Sequence, residues 1–230
     1  MICVLTDPRR PVHLLSTLRS LDESATDTNK IVVVDGSYSP ELSSTWRAEL
    51  APKPAGARNT QNRWSTWRAF ELAVAAEDDL LFFEDDVTGC PSAALYAETL
   101  RVPDDCAFLS LYAPWGDASF PPGIWRYHAS KFSFCQALKV PLHTCRVLVE
   151  ARDEMAASAC GGSDECIGEI GGRRDWLVGV HYPGLFQHVG AFSVVSGDRT
   201  LAGNRHSRAW LADIDAMKLR RSPGEFDHYR

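Results

Sequence analysis

Three consecutive acidic residues, Glu84, Asp85 and Asp86, directly follow the apolar run Leu80–Phe83. Neighbouring carboxylates raise one another's pKa unless a cation or hydrogen bonds hold them in the charged form. Carboxylate oxygens are the ligands that hard divalent ions such as Mg²⁺ and Mn²⁺ prefer. The cluster therefore predicts a metal site. An acidic turn whose charges are merely solvated is the alternative that this segment alone leaves open.

A further acidic residue, Asp35, follows the apolar run Ile31–Val34 and precedes Gly36. Short, uniformly apolar runs are typical of strands buried on both faces of a parallel sheet. Open α/β sheets bind their ligands at the carboxyl ends of such strands, so we expect Asp35 and the acidic cluster to lie along one edge. A carboxylate there can accept hydrogen bonds from a ribose or a nucleobase. An ordinary Asp-Gly turn is the alternative.

The first half of the chain alternates between strand and helix patterns. Strands are predicted at 2–5, 31–34 and 80–87, and helices at 11–21, 39–50 and 62–76. The helix at 39–50 is predicted from the spacing of Leu42, Trp46 and Leu50, with Ser39 as its N-cap. Strands separated by helices imply βαβ units. We therefore predict an α/β fold with a mostly parallel central sheet flanked by helices.

The second half of the chain has a more mixed pattern. Strands are predicted at 107–112, 136–140 and 176–182, and an aromatic-rich loop at 120–134. A helix is predicted at 144–158, followed by a short helix that begins at Asp164 and Glu165 and is capped by Ser163. A last helix is predicted at 210–219, before a polar tail.

Composition narrows the classes of function. The 230 residues fit a single domain, and the formal net charge of −6 does not favour a nucleic-acid binder held by bulk charge, although a local basic patch is compatible with it. The seven cysteines are scattered without a C-x-x-C pair, which predicts buried free thiols in a reducing compartment and no zinc site or disulfide framework. Neither a signal peptide nor a membrane span is expected, so a cytoplasmic protein is predicted.

The order of these motifs resembles a known enzyme family. The strand ending in Asp35 and Gly36, the segment with Arg58, the helix with Trp67 and the strand ending in the acidic cluster resemble the nucleotide-sugar-binding half of GT-A glycosyltransferases, particularly the family 2 type. Glu84-Asp85-Asp86 stands where these enzymes carry their D-x-D metal motif.

A later block strengthens this resemblance. The segment 183–190, P-G-L-F-Q-H-V-G, with Ser193 beyond it, is similar to the conserved region of the N-acetylglucosaminyltransferase IV type, which also carries an E-D-D motif after an apolar strand. The chain departs from these enzymes in having Glu84 as its first acid and in lacking the anchor and stem of the Golgi members. The departures leave the donor sugar and acceptor open and point to a bacterial or viral cytosolic enzyme.

The resemblance implies a single GT-A domain, with residues 1–90 as the nucleotide-sugar-binding half and 91–230 as the acceptor-binding and catalytic half. It implies a UDP-sugar donor and Mn²⁺ or Mg²⁺ as cofactor, with Asp86 as a direct metal ligand and Glu84 and His188 as further ligands. A hydrogen-bonded core histidine is the alternative for His188. The implied nucleotide-sugar contacts are Thr6, Asp35, Gly36, Arg58, Arg63, Glu84, Asp85 and Arg205.

Transfer with inversion needs one base that takes the proton of the acceptor hydroxyl while a metal stabilises the departing diphosphate. The family places this acid near the start of a late helix, which implies Asp164, with Glu165 as the second candidate. Acids that merely favour the positive end of a helix dipole are the alternative for both residues.

Other classes of function fit the sequence less well. A Walker B strand is excluded because the chain contains no G-x-x-x-x-G-K-[ST] loop. A sugar nucleotidyltransferase needs a glycine-rich loop after its first strand, and the first glycine here is Gly36. A non-catalytic sugar-binding module does not need a metal-linked acidic cluster. For the acceptor, a glycan and a hydroxymethylated base in viral DNA both stay open, as does the oligomeric state.

Overall fold

A computed structural model describes residues 1–6, 11–22, 30–35, 46–51, 58–114, 120–156, 161–189, 210–211, 216 and 227–229, with the backbone alone at 11–12, 32–35, 50–51, 58–61, 155–156 and 227–229. The strands are β1 Ile2–Thr6, β2 Lys30–Asp35, β3 Arg47–Ala51, β4 Leu80–Glu84, β5 Val87–Gly89, β6 Cys106–Ser110, β7 Gly123–His128, β8 Ala137–Val140, β9 Leu177–Tyr182, β10 Phe186–His188 and β11 Asp227–Tyr229. The helices are α1 Pro11–Asp22, α2 Arg58–Ala76, α3 Ala93–Thr99, α4 Leu142–Glu150, α5 Arg152–Ala156 and α6 Ser163–Arg173, with a 3-10 turn at Ala129–Lys131.

The described strands form one large sheet and one small one. The large sheet has nine strands in the order β11-β7-β9-β6-β8-β4-β1-β2-β3. Strands β1, β2, β3, β4, β6 and β9 run in one direction, whereas β8, β7 and β11 run in the other. The small sheet pairs β5 with β10 in antiparallel register. The predicted α/β class and mostly parallel central sheet flanked by helices are therefore confirmed.

Strands β1 and β4 are apolar up to their last residue because both faces of the sheet are covered. Alternate residues of β4 point to opposite faces: Leu81 and Phe83 pack with helices α1 and α3, whereas Leu80 and Phe82 pack with α2, α4 and α6. All four side chains are buried. A strand with one face in water would alternate with polar residues, so the unbroken apolar run directly reflects this two-sided burial.

Three sequence predictions of local structure are wrong. The described end of the predicted helix at 39–50 is strand β3, in which charged Arg47 and Glu49 alternate with apolar residues at the period of a strand. The predicted aromatic loop contains β7, whose Ile, Trp and Tyr residues favour a strand. At the end of the chain, Trp210 forms a β-bridge with Gly184, and β11 pairs with β7 where a polar tail was predicted.

Smaller corrections concern the helices and cysteines of the second half. The predicted helix at 144–158 is divided into α4 and α5, and α6 has Gly162 as its N-cap, with Ser163 inside the helix. Cys166 is disulfide-bonded, against the prediction of free thiols. The other described cysteines are free and buried, as predicted: Cys3, Cys90, Cys106, Cys135 and Cys145. Among the described helices, none has the length and apolar character that a membrane crossing needs.

Candidate functional site

The ends of β1, β2 and β4 bring several predicted site residues to the carboxyl edge of the large sheet. Thr6 ends β1 and pairs with Val34 of β2, and Leu5 pairs with Glu84 of β4. The backbone of Asp35 and the acidic cluster therefore lie at the same edge, on either side of β1. Strand β8 runs in the opposite direction and begins at this edge, where Ala137 pairs with Phe83.

The acidic cluster forms a tight turn between β4 and β5, held by two threonines. Thr6 is buried, and its hydroxyl donates a hydrogen bond of 2.7 Å to Asp85 Oδ2. Thr17 of α1 is fully buried, and its hydroxyl lies 2.8 Å from the carbonyl oxygens of both Asp85 and Val87. The Asp85 carboxylate thus has a hydrogen-bonding role within the fold.

Strand β10 brings His188 against this turn. Its antiparallel pairing with β5 places His188 opposite Val87, and the Val189 amide donates to the Asp86 carbonyl oxygen at 2.8 Å. A Cβ atom on Gly89 would lie 2.9 Å from the Phe186 ring, so glycine permits this close approach. His188 Nε2 consequently lies 3.1 Å from Asp86 Oδ2, with the His188 side chain 2% and the Asp86 side chain 13% exposed.

The Asp86–His188 pair leaves two buried polar atoms unused. Among the described residues, Asp86 Oδ1 and His188 Nδ1 have no hydrogen-bond partner. A buried polar atom without a partner is costly in a folded protein, and such atoms are therefore concentrated where a ligand or ion supplies the missing interaction. The carboxylate oxygen is a hard ligand, and the imidazole nitrogen is a ligand for transition metals. This donor set fits Mn²⁺ better than Mg²⁺.

The predicted metal triad is not assembled as such. Within the described ranges, no group of three or more His, Cys, Asp and Glu side chains is arranged to hold a metal ion. Glu84 ends β4, and its carboxylate contacts Gln136 Nε2 at 3.4 Å, whereas Asp86 in the turn contacts His188. Two protein side chains, rather than three, are thus together at this corner.

The candidate base Asp164 lies in the first turn of α6. The buried Cys135 thiol has a pKa well above its ordinary value, first because burial removes it from water and then because of the negative charges of Asp164 and Glu84. Cys135 directly precedes Gln136 and packs in the same buried cluster as Cys166 and Ile167 of α6. The start of α6 therefore packs near the strand that begins after Gln136.

A buried hydroxyl network holds the start of α6, which carries Asp164 and Glu165. The Thr66 hydroxyl of α2 donates to Ser163 Oγ at 2.9 Å, and Ser163 Oγ donates to Asn62 Oδ1 at 3.0 Å. Glu165 Oε2 accepts a hydrogen bond of 2.5 Å from the Gly161 amide, and Asp164 Oδ1 accepts one of 2.9 Å from the Glu165 amide. Asp164 and Glu165 thus each accept a hydrogen bond from a backbone amide at the start of α6. This is the helix-terminal role that the sequence left open for both residues.

A groove of about 560 Å³ runs along α6 from this edge. Glu165 and Glu169 line it from the helix, together with Gly172 and Arg173, and residues 130–133 form its other wall. Gly168 allows the walls to meet, because a Cβ atom there would lie 2.9 Å from the Phe132 carbonyl oxygen. The groove begins beside the candidate base.

The remaining predicted contacts are described only in part. Arg63 lies on α2 next to Asn62, and its side chain is partly buried. Arg58 begins α2 and Asp35 ends β2, but only their backbones are described. Gly36 and Arg205 lie outside the described residues. Sequence reasoning missed Gln136, whose only signal was a polar side chain at the start of a predicted apolar strand.

Comparison with known proteins adds no family assignment. No protein-family model matches the chain, and no curated protein matches it significantly. The functional conclusion therefore rests on the geometry of the site and on the sequence motifs.

Proposed function

We propose that this chain is a metal-dependent, inverting glycosyltransferase of the GT-A type, which transfers a sugar from a UDP-sugar to an acceptor hydroxyl. One observation carries the proposal. A mostly buried carboxylate and a buried imidazole, each with a buried polar atom that has no partner among the described residues, lie at the carboxyl edge of a mostly parallel sheet. That edge is where α/β proteins bind nucleotides.

Asp86 and His188 hold the metal in this proposal. A bound Mn²⁺ would neutralise the negative charge that develops on the departing diphosphate. Asp86 would contribute a carboxylate oxygen and His188 its Nε2, the ring nitrogen that faces Asp86 at 3.1 Å, since Nδ1 lies on the far side of the ring. Thr6 keeps Asp85 engaged within the fold, so Asp85 fixes the turn that carries Asp86.

Asp164 acts as the base. Its carboxylate takes the proton of the acceptor hydroxyl as the acceptor oxygen forms its bond to the anomeric carbon and the bond from that carbon to the diphosphate breaks. UDP leaves with the electron pair of the broken bond. The hydroxyl network of Thr66, Ser163 and Asn62 supports the proposal because it keeps the first turn of α6 in place.

The groove along α6 favours a glycan as the acceptor. Glu165 and Glu169 line it, and carboxylates accept hydrogen bonds from sugar hydroxyls but repel phosphates. Lys131 and Arg173 also line the groove, and Arg173 is paired with Glu169 at 3.2 Å. Together with the net charge of −6, this composition makes a polyanionic DNA acceptor the less favoured alternative.

Calorimetric titration with UDP, with and without Mn²⁺, tests the metal site. We expect the wild-type protein to bind UDP more tightly in Mn²⁺, and Asp86→Ala to abolish this dependence while keeping the wild-type melting temperature. Asp104→Ala is the matched control, because Asp104 is exposed, pairs with Arg101 and lies at the opposite edge of the sheet. Metal-dependent UDP binding that survives in Asp86→Ala would refute the assignment.

Donor hydrolysis then tests the enzyme class. UDP-glucose, UDP-galactose and UDP-N-acetylglucosamine are incubated with the protein and Mn²⁺, and released UDP is measured. We expect turnover of at least one donor, and transfer to glycan acceptors with inversion at the anomeric carbon, seen by NMR. A protein that binds UDP-sugars but neither hydrolyses nor transfers them would be a binding module.

A further inference from the structure

Gln136 has a buried amide oxygen that the fold does not use. The residue lies directly before β8 and is 5% exposed. The backbone carbonyl oxygen of Gln136 accepts a hydrogen bond of 2.9 Å from the backbone amide of Glu84. The side-chain Nε2 of Gln136 lies 3.4 Å from Glu84 Oε2. Within the described part of the chain, its Oε1 has no hydrogen-bond partner.

The orientation of this amide follows from its neighbour. An amide nitrogen donates hydrogen bonds and an amide oxygen only accepts them, so the nitrogen must be the atom that faces the Glu84 carboxylate. The opposite orientation would place two acceptors against each other. Oε1 is thereby the atom left over, and an O–H or N–H group of a ligand can supply its missing hydrogen bond.

The position of Gln136 indicates which part of a ligand supplies this group. On one side it contacts Glu84, two residues before the proposed metal ligand Asp86. Its neighbour Cys135 packs in the same buried cluster as Cys166 and Ile167 of α6, the helix whose first turn carries Asp164. In an inverting glycosyl transfer the sugar lies between the diphosphate and the base that activates the acceptor. Gln136 thus lies near the elements that carry the residues proposed for these two roles.

We propose that Gln136 Oε1 accepts a hydrogen bond from one hydroxyl of the transferred sugar, and that Gln136 thereby contributes to the choice of donor sugar. This inference rests on the proposed function and adds to it a residue that selects the sugar rather than the nucleotide. A sugar without that hydroxyl would leave the amide oxygen buried and unpaired, which is the usual physical basis for rejecting a deoxy analogue.

Calorimetric titration of Gln136→Met in Mn²⁺ separates sugar from nucleotide. Methionine matches the length of glutamine and removes the acceptor. We expect the Kd of UDP to stay within about twofold of wild type, and the Kd of the tightest-binding of UDP-glucose, UDP-galactose and UDP-N-acetylglucosamine to rise about tenfold. Equal weakening of UDP and UDP-sugar, or no change in either, would overturn the inference.

Monodeoxy analogues of that UDP-sugar identify the hydroxyl. Wild type should lose about tenfold in affinity for one analogue, and Gln136→Met should bind that analogue as it binds the parent sugar, since the same contact is already absent. Wild-type losses that Gln136→Met reproduces for every analogue would contradict the contact.

An NMR measurement on the wild-type protein does not depend on the variant folding. The side-chain amide resonances of Gln136 should shift on addition of the UDP-sugar and stay in place on addition of UDP. Shifts with UDP alone would overturn the inference. Failure of the wild-type protein to bind either compound would instead refute the proposed function.

Discussion

The two edges of the large sheet differ in how completely their charged and polar groups are paired. At the amino edge, several charged groups of the described residues are paired: the Met1 amino group with Asp78, Arg101 with Asp104, and Arg126 with Asp105, and the His128 ring lies 3.1 Å from Asp175. At the carboxyl edge, buried polar atoms of Asp86, His188 and Gln136 have no partner among the described residues. The fold supplies the partners of these groups at the amino edge, whereas the proposed ligand would supply them at the carboxyl edge.

The comparison explains why neither burial nor charge alone identifies a site. Arg126 is as buried as many residues of the carboxyl edge, but its guanidinium has a carboxylate partner at 2.8 Å. Unpaired buried polar atoms reduce stability, and such costs persist in proteins chiefly where function needs them. Substitutions at the two edges should therefore separate stability from activity.

The largest effect is expected for Asp164→Asn. Removing the base should lower the rate of transfer to the acceptor by about 10²–10⁴-fold, while UDP binding and the melting temperature stay near wild type. The rate is measured at saturating donor. Glu165→Gln is the matched control, with an expected loss of less than about tenfold, because the Glu165 carboxylate is engaged by the Gly161 amide. A larger loss in Glu165→Gln than in Asp164→Asn would indicate that Glu165, and not Asp164, is the base.

Asp105→Asn and Asp86→Asn test the difference between the edges directly. Asp105→Asn replaces the carboxylate that lies 2.8 Å from the buried Arg126 guanidinium with a neutral amide, and we expect a loss of about 1–2 kcal/mol, because Asp105 itself is half exposed. Asp86→Asn should change stability by less than about 0.5 kcal/mol but remove donor turnover. Urea denaturation and UDP release provide both values. Full turnover in Asp86→Asn, or lost turnover in Asp105→Asn, would contradict the comparison.

Thr66→Val tests the anchoring of α6. The fully buried hydroxyl links Asn62 and Ser163, and its removal leaves a buried polar partner unsatisfied, at a cost of about 1–2 kcal/mol. Transfer should decrease less than in Asp164→Asn, because the base is displaced rather than removed. Stability is measured by urea denaturation. Thr99→Val is the control, since the Thr99 hydroxyl donates to the Tyr96 carbonyl oxygen within the last turn of α3. Equal losses of stability and transfer in Thr66→Val and Thr99→Val would contradict a specific role of Thr66 in anchoring α6.

The smallest expected effect is the contribution of Lys139 to the pH dependence of the free energy of unfolding. Its ammonium group is buried in β8 and donates to the carbonyl oxygens of Ala97 and Glu98 at 3.0 and 2.7 Å. Burial lowers the pKa of Lys139 below the ordinary value of 10.5. The unfolded chain therefore holds this proton to higher pH, so the free energy of unfolding should rise with pH between the lowered pKa and 10.5. Lys139→Met should remove this rise in urea denaturation between pH 8 and 10.5; an unchanged slope would exclude Lys139 as its source.

The strand arrangement was largely predictable because two-sided burial leaves a direct signature in the sequence. The runs that became β1, β2 and β4 are apolar at every position, and their carboxyl ends carry the polar residues of the site. Strand β3 was not predictable from residue spacing, because Trp46 and Leu50 are four residues apart, which fits one face of a helix as well as one face of a strand. The pairing of this segment with β2 makes it a strand.

The composition of the site was predictable, but its contacts were not. Asp86 and His188 were both candidates, yet only the pairing of β5 with β10 brings them to 3.1 Å. Gln136 shows the opposite case. A glutamine at the start of a strand carries no functional signal, and the role proposed for Gln136 follows from an unpaired oxygen that only packing creates. Long-range contacts of this kind cannot be read from local pattern.

The pairing of β5 with β10 also has a consequence for folding during synthesis of the protein. The acidic turn is synthesised about a hundred residues before His188, so the backbone edge of β5 has no partner until β10 has been made. Exposed strand edges invite association between nascent chains. A chain that stops before Phe186 should therefore aggregate, and it would also lack half of the proposed metal site.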